Sequence, residues 1–128
     1  MTIEFITSKD APVPAGHYSQ AIVHNGLVYI SGQLPIAANS TEKKVGGIEQ
    51  QTEQVLANLD AILKASGSDK NQVLKVTVYI SDISLWGQVN AVYARYFGEH
   101  KPARAVVPTR ELHYGYQIEL DAVAAVLG

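Results

Sequence analysis

Two short apolar runs, Ser19–His24 and Leu27–Ser31, flank Asn25-Gly26. That pair tolerates positive φ at both central positions of a tight hairpin turn, so the segment predicts two antiparallel strands. Gly32, Pro35 and the polar stretch Asn39–Gly47 then break regularity. Beyond them Ile48, Val55, Leu59, Ile62 and Leu63 recur at helical spacing, and Gly67 is placed to stop the helix.

Gln72–Ile80 is dense in β-branched residues, with Leu74, Val76, Val78 and Ile80 alternating against Lys75, Thr77 and Tyr79, which predicts a strand with the first four inward. Asp82 or Ser84 can cap a second helix carrying Leu85, Trp86, Val89, Val92, Tyr93, Tyr96 and Phe97 on a broad apolar stripe, ended by Gly98. Two further strands, Arg104–Val107 and Gln117–Val126, are separated by the loop Pro108–Tyr116, and a short strand fits Ile3–Ile6. The order implies an α+β fold, a sheet of five or six strands with two helices covering one face. On the last strand Ile118, Leu120, Ala122 and Ala124 form one apolar face. The other face starts with Glu119 and Asp121 and turns apolar at Val123 and Ala125, the pattern of a surface partly covered by another subunit.

The 128 residues suit a single domain over 1–128, and 47% hydrophobic against 17% charged residues supports a packed core rather than disorder. Ten Lys+Arg against twelve Asp+Glu give a net charge of −2, so the chain has no electrostatic footprint for nucleic acid or an anionic membrane. Ala11–Thr41 contains no Asp, Glu, Lys or Arg, but its prolines and glycines divide it into pieces too short to span a bilayer. The N-terminus lacks the basic start and apolar run of an export signal, which makes the cytoplasm the expectation. Without cysteine, disulfides, thiolate nucleophiles and sulfur-based zinc sites are excluded.

Arg104 and Glu119 are charged groups inside predicted strands. An Arg fork takes a carboxylate bidentately, and a Glu in an apolar wall can hold a proton or position a water. Spacing alone equally allows a structural ion pair between them, or an Arg104 that reaches solvent. His17 and His113 lie in turns where they could border a pocket, whereas His24 at the hairpin and His100 beside Glu99 and Lys101 fit surface roles. No HExxH, acidic metal loop or phosphate-binding glycine loop occurs, so neither metal nor organic cofactor is expected. Ser31 lacks the GxSxG elbow of a nucleophile and fits a strand end turning at Gly32. Trp86, Tyr93, Tyr96 and Phe97 fit core positions better than a base-stacking platform.

Five segments together resemble the RidA/YjgF family of enamine/imine deaminases over essentially the whole chain: 16–20 (Gly-His-Tyr-Ser-Gln), 29–35 (Tyr-Ile-Ser-Gly-Gln-Leu-Pro), 89–93 (Val-Asn-Ala-Val-Tyr), 102–105 (Pro-Ala-Arg-Ala) and 118–122 (Ile-Glu-Leu-Asp-Ala). The resemblance implies a chorismate-mutase-like fold, a mostly antiparallel sheet with two helices on one face, and a homotrimer whose sheets line a central barrel. It implies hydrolysis of small 2-imino acids and their enamines, released by pyridoxal-phosphate dehydratases, to 2-keto acids and ammonia. By the same resemblance Arg104 grips the substrate carboxylate and Glu119 orients or activates water. Tyr18, Ser31, Gly32 and Asn90 match positions bordering the pocket, and the backbone N–H of Val106 adds a contact. This chain has His17 where the family often has Pro, and Val106 where many members carry Cys. Endoribonuclease or translation inhibitor, a description also attached to the family, and a non-catalytic metabolite-binding or chaperone-like module are the competing readings.

Overall fold

The computed structural model describes residues 2–40, 42–43 and 45–127, so positions 41 and 44 of the polar stretch 39–47 lie outside the described residues. Six strands form one sheet in the order β1-β2-β3-β6-β4-β5: β1 Glu4–Ile6, β2 Ala21–His24, β3 Leu27–Gln33, β4 Val73–Ile80, β5 Ala103–Pro108 and β6 Ile118–Ala125. All neighbours pair antiparallel except β4 and β5, which run parallel. Helix α1, Ile48–Ala65, connects β3 to β4, and α2, Trp86–Phe97, makes the crossover that a parallel β4–β5 pair requires. The sheet is open, with β1 and β5 at its edges, so one chain forms no closed barrel. No helix among the described residues is long and apolar enough to cross a membrane.

The expected periodicities account for most of this. Asn25 and Gly26 take φ of 53° and 77° in the β2–β3 turn. Val55, Leu59, Ile62 and Leu63 of α1 are fully buried against Val28, Val76, Val78, Ile118 and Leu120 of the sheet. Gly67 (φ 75°) and Gly98 (φ 64°) follow the two helices in conformations that side chains avoid. Asp82 accepts from Ser84 N at 2.8 Å and caps a single 3-10 turn, Ile83–Leu85, so α2 begins at Trp86 rather than at the cap itself.

Two expectations are corrected, both at register shifts. β3 does not turn at Gly32; it runs on to Gln33 through an irregularity between Ile30 and Gln33 in its pairing with β6. In β4 a shift between Val73 and Lys75 puts Val73 inside and leaves Leu74 48% exposed, so Leu74 leaves the inward set while Val76, Val78 and Ile80 stay.

Two buried amides fix the loops near the sheet's open side. Gln20 accepts from Ser8 N at 2.6 Å and donates to Ser8 O at 3.1 Å and Pro12 O at 2.9 Å, which pins the segment leading to Tyr18. Asn58 of α1 donates to Leu34 O at 3.1 Å and Ile36 O at 3.0 Å, holding the chain just after β3. Asn58→Ala leaves both carbonyls without that donor and should destabilise the fold by about 1–3 kcal/mol. Urea denaturation checks this: an unchanged midpoint would mean that water replaces the amide without cost.

Candidate active site

Strand alternation decides which face each candidate occupies. Arg104 stands beside Val76 of β4 in the parallel pair, and Val76 is buried beneath the helices. Glu119 stands opposite Tyr79, whose side chain has the other parity. The two therefore lie on opposite faces of the sheet, and the ion pair that spacing left open does not form.

On the helix side, Trp86, Asn90 and Tyr93 fall at i, i+4 and i+7 of α2 and turn toward β5. The Arg104 guanidinium carbon sits 4.5 Å from the Trp86 ring centroid and 4.8 Å from that of Tyr93. Its Nη1 donates to Asn90 Oδ1 at 3.0 Å. Among the described residues no carboxylate pairs with it in a salt bridge. Two aromatic faces and one amide hold the cation without neutralising it, which leaves its charge available to an incoming anion. A cavity of about 360 Å³ opens beside it, lined by Asn90, Tyr93, Lys101 and Pro102 among others. The Tyr93 hydroxyl is buried without a hydrogen-bond partner; burial pushes its pKa up, against the pull of Arg104. Val106 shares the Arg104 face and packs partly against the core.

On the other side, Tyr18, Ser31, Gly32, Leu34, His113 and Glu119 enclose a cavity of about 320 Å³. It shares Tyr18, Gly32, Leu34 and His113 with a neighbouring cavity of about 240 Å³ that extends toward Pro12 and Tyr114. Burial pushes the Glu119 carboxyl above its usual range; the electrostatic influence of His113 opposes this and Asp121 adds to it. Asp121 accepts a hydrogen bond from Tyr79 at 3.2 Å. The Ser31 hydroxyl donates to Ser19 O at 2.6 Å, so its proton is committed to the backbone and not to a catalytic base.

Gly32 is where the irregular stretch of β3 meets Glu119: a Cβ built there would collide with Glu119 Oε2. Gly32→Ala should leave the fold intact and push the Glu119 carboxylate aside, a displacement that the crystal structure of the variant checks. A Glu119 side chain left in place in that variant would show that the strand, rather than the carboxylate, yields to the added methyl group.

The structure thus groups Tyr18, Ser31, Gly32 and Glu119, and separately Arg104, Asn90 and Val106. His113 joins the first group, whereas His17 is exposed outside both cavities. His24 contacts Thr2 O at 3.2 Å and His100 contacts Val73 O at 2.7 Å, both backbone ties. The part played by Trp86 and Tyr93 was missed because their spacing reads as core. They are in fact partly core, and the signal was the Asn90 between them on one helix face. A larger cavity, about 710 Å³ between α1 and α2, contains none of these residues; four of its charged side chains pair there, Lys64 with Asp60 at 2.7 Å and Arg95 with Glu53 at 3.8 Å, and Lys70 stands over the Tyr96 ring.

A family model described as Endoribonuclease L-PSP matches residues 8–126. The chain belongs to the RidA/YjgF family. A RutC family protein of Pyrococcus horikoshii is 46% identical over 121 residues, 94% of this chain and 96% of its own length. A 2-iminobutanoate/2-iminopropanoate deaminase of Rattus norvegicus is 40% identical over 119 residues, 93% of this chain and 87% of its own. The crystal structure of Escherichia coli TdcF with bound serine superposes with a TM-score of 0.91 at 29% identity, covering 97% of this chain and 99% of that one. RidA/YjgF members thus share this open six-stranded sheet with two helices on one face, and deaminases are among them.

Proposed function

We propose that this protein is a deaminase that hydrolyses 2-imino acids, 2-iminopropionate and 2-iminobutyrate among them, to 2-keto acids and ammonia at a site completed by a second copy of the chain. The observation that carries this reading is the division of the site. A cation held for a carboxylate stands on one face of the sheet, and a desolvated carboxyl for water on the other. A single small substrate cannot touch both within one chain. A cyclic homotrimer joins the Arg104 side of one protomer to the Glu119 cavity of the next and uses one heterologous interface three times. The apolar part of the open face supports such an assembly: Tyr29, 47% exposed, stands opposite Val123 there, and Val107 at the β5 edge is 38% exposed.

Arg104, Asn90 and the Val106 N–H would then take the substrate carboxylate. Glu119 would direct water at the imine carbon within walls made by Tyr18, Ser31 and Gly32. The name of the rat relative and the serine bound to the E. coli relative support a substrate with an amino-acid skeleton. An imine carbon is already electrophilic, so fixing the carboxylate and aiming water suffices for catalysis. Endonuclease action, which the family description suggests, wants a basic groove along RNA, and a net charge of −2 disfavours it.

The test generates the imines in situ with a dehydratase and adds the protein after dialysis against chelator. Accelerated decay over buffer is the expected result. No acceleration defeats the deaminase reading, and acceleration only on restoring metal defeats metal-free hydrolysis. Sedimentation should show a trimer at micromolar concentration.

A further inference from the structure

The sequence singled out His113 as a residue that could border a pocket, and the deaminase reading leaves it without a role. The structure places it in the wall of the Glu119 cavity and of the cavity adjoining it. Its position is set by the backbone: the turn His113–Gly115 has Tyr114 at φ 61° and Gly115 at φ 77°, and Tyr116 N donates to His113 O at 3.1 Å. A non-glycine residue in the left-handed region is uncommon and costs conformational energy, so something around it must fix it there. The ring of Tyr114 stands between its neighbours, 5.9 Å from His113 and 6.2 Å from the buried Tyr116, with Lys43 Nζ 5.3 Å from its centroid.

Imine hydrolysis needs two proton transfers of opposite sense. A water must lose a proton as it attacks, and the amine nitrogen must gain one before it leaves. Tyr18, His113 and Glu119 are the titratable groups lining the cavity. Around Glu119 the facing groups are Tyr79 from β4, Asp121 from its own strand, Tyr18 from the 12–20 loop and His113 from the turn, while Ser31 and Gly32 of β3 bring no charge. Of these, only the imidazole carries ring nitrogens that donate when protonated and accept when neutral, which suits it to give and recover a proton within one turnover.

We propose that His113 is the catalytic acid of this site, donating a proton to the departing amine nitrogen while Glu119 serves as the base for water. The assignment rests on the deaminase reading and deepens it. Starting from the protonated imine, water oxygen bonds to the imine carbon, the C=N π pair moves to nitrogen and one water proton passes to Glu119, giving a carbinolamine. The His113 imidazolium protonates the amine nitrogen. The C–N bond breaks with its electron pair leaving on nitrogen, the carbonyl forms, and the hydroxyl proton returns to His113. Ammonia carries the Glu119 proton away as ammonium, so both side chains end as they began.

Three measurements on His113→Gln, with His113→Asn as the second variant should the first fold poorly, test this. With 2-iminobutyrate generated in situ, kcat at neutral pH should fall by about 10²-fold, the scale of one general acid. The alkaline limb of the wild-type kcat profile should vanish, and added imidazole should restore part of the rate. Binding of 2-oxobutyrate, followed by calorimetry, should stay within about twofold of wild type, because the carboxylate clamp is elsewhere. A folded variant that keeps the wild-type kcat and its alkaline limb overturns the role of His113 and leaves the deaminase reading intact. Wild-type protein that hydrolyses no imine overturns both.

Discussion

Glu119→Gln should lower kcat for 2-imino acid hydrolysis by about 10²–10⁴, the range of a positioned general base, while the affinity for 2-oxobutyrate changes little. The substitution keeps size and removes only the ability to accept a proton. Its effect is large because the surroundings prepare that ability: burial lifts the Glu119 carboxyl above the usual range, Asp121 adds to the lift, and His113 restrains it. Only the ionised form can take the water proton. Activity should therefore rise with pH through the folded-state value, and the acid limb should lie above the ordinary glutamate range. The stability sign is opposite. Because the folded value exceeds the unfolded one, Glu119 contributes stability below its unfolded value and loses it as pH rises through the folded value, so wild type should gain slightly on Glu119→Gln as pH falls across that window. Thermal unfolding of both proteins across that window checks the sign, and an unchanged kcat in the variant would remove Glu119 from the mechanism.

What the sequence made legible was whatever depends on near neighbours. The Asn25-Gly26 turn, the 3.6-residue period of α1 and the strict alternation from Ile118 to Ala124 are local signals, and the structure carries all three. Register irregularities are different, because they arise between segments far apart in sequence. Neither the slip that exposes Leu74 nor the one that carries β3 through Gly32 leaves a mark on its own strand beyond a residue that fits either way. Gly32 reads as a breaker, yet its missing side chain makes room for Glu119, which lies 87 positions later. The two charged strand residues were identifiable as candidates, but their relative placement was not: whether Arg104 and Glu119 share a face depends on β4 lying between β5 and β6, and topology of that kind follows from the whole core.

Arg104→Ala should lower kcat/KM by about 10- to 100-fold, since a charge-assisted hydrogen bond to a carboxylate contributes about 1.5–3 kcal/mol. Most of the loss should appear in KM and in weaker 2-oxobutyrate binding, because a clamp on the unreacting carboxylate holds substrate and transition state alike. The fold should survive, as Arg104 is exposed and leaves behind an aromatic face and one amide rather than an unpaired charge. The opposite-face placement makes a further outcome accessible. If each site takes Arg104 from one protomer and Glu119 from the next, Arg104→Ala and Glu119→Gln chains damage different halves of it. Two such preparations, assayed with imine well below the wild-type KM where both are impaired, should gain activity when unfolded together and refolded as mixed trimers. Random mixing leaves about a quarter of the interfaces with both native halves, so recovery should approach that fraction of the wild-type rate. Refolding each variant alone should return only its own reduced kcat/KM. A mixture no more active than its components would mean that both residues serve the same protomer's site, and the shared cleft would have to be abandoned.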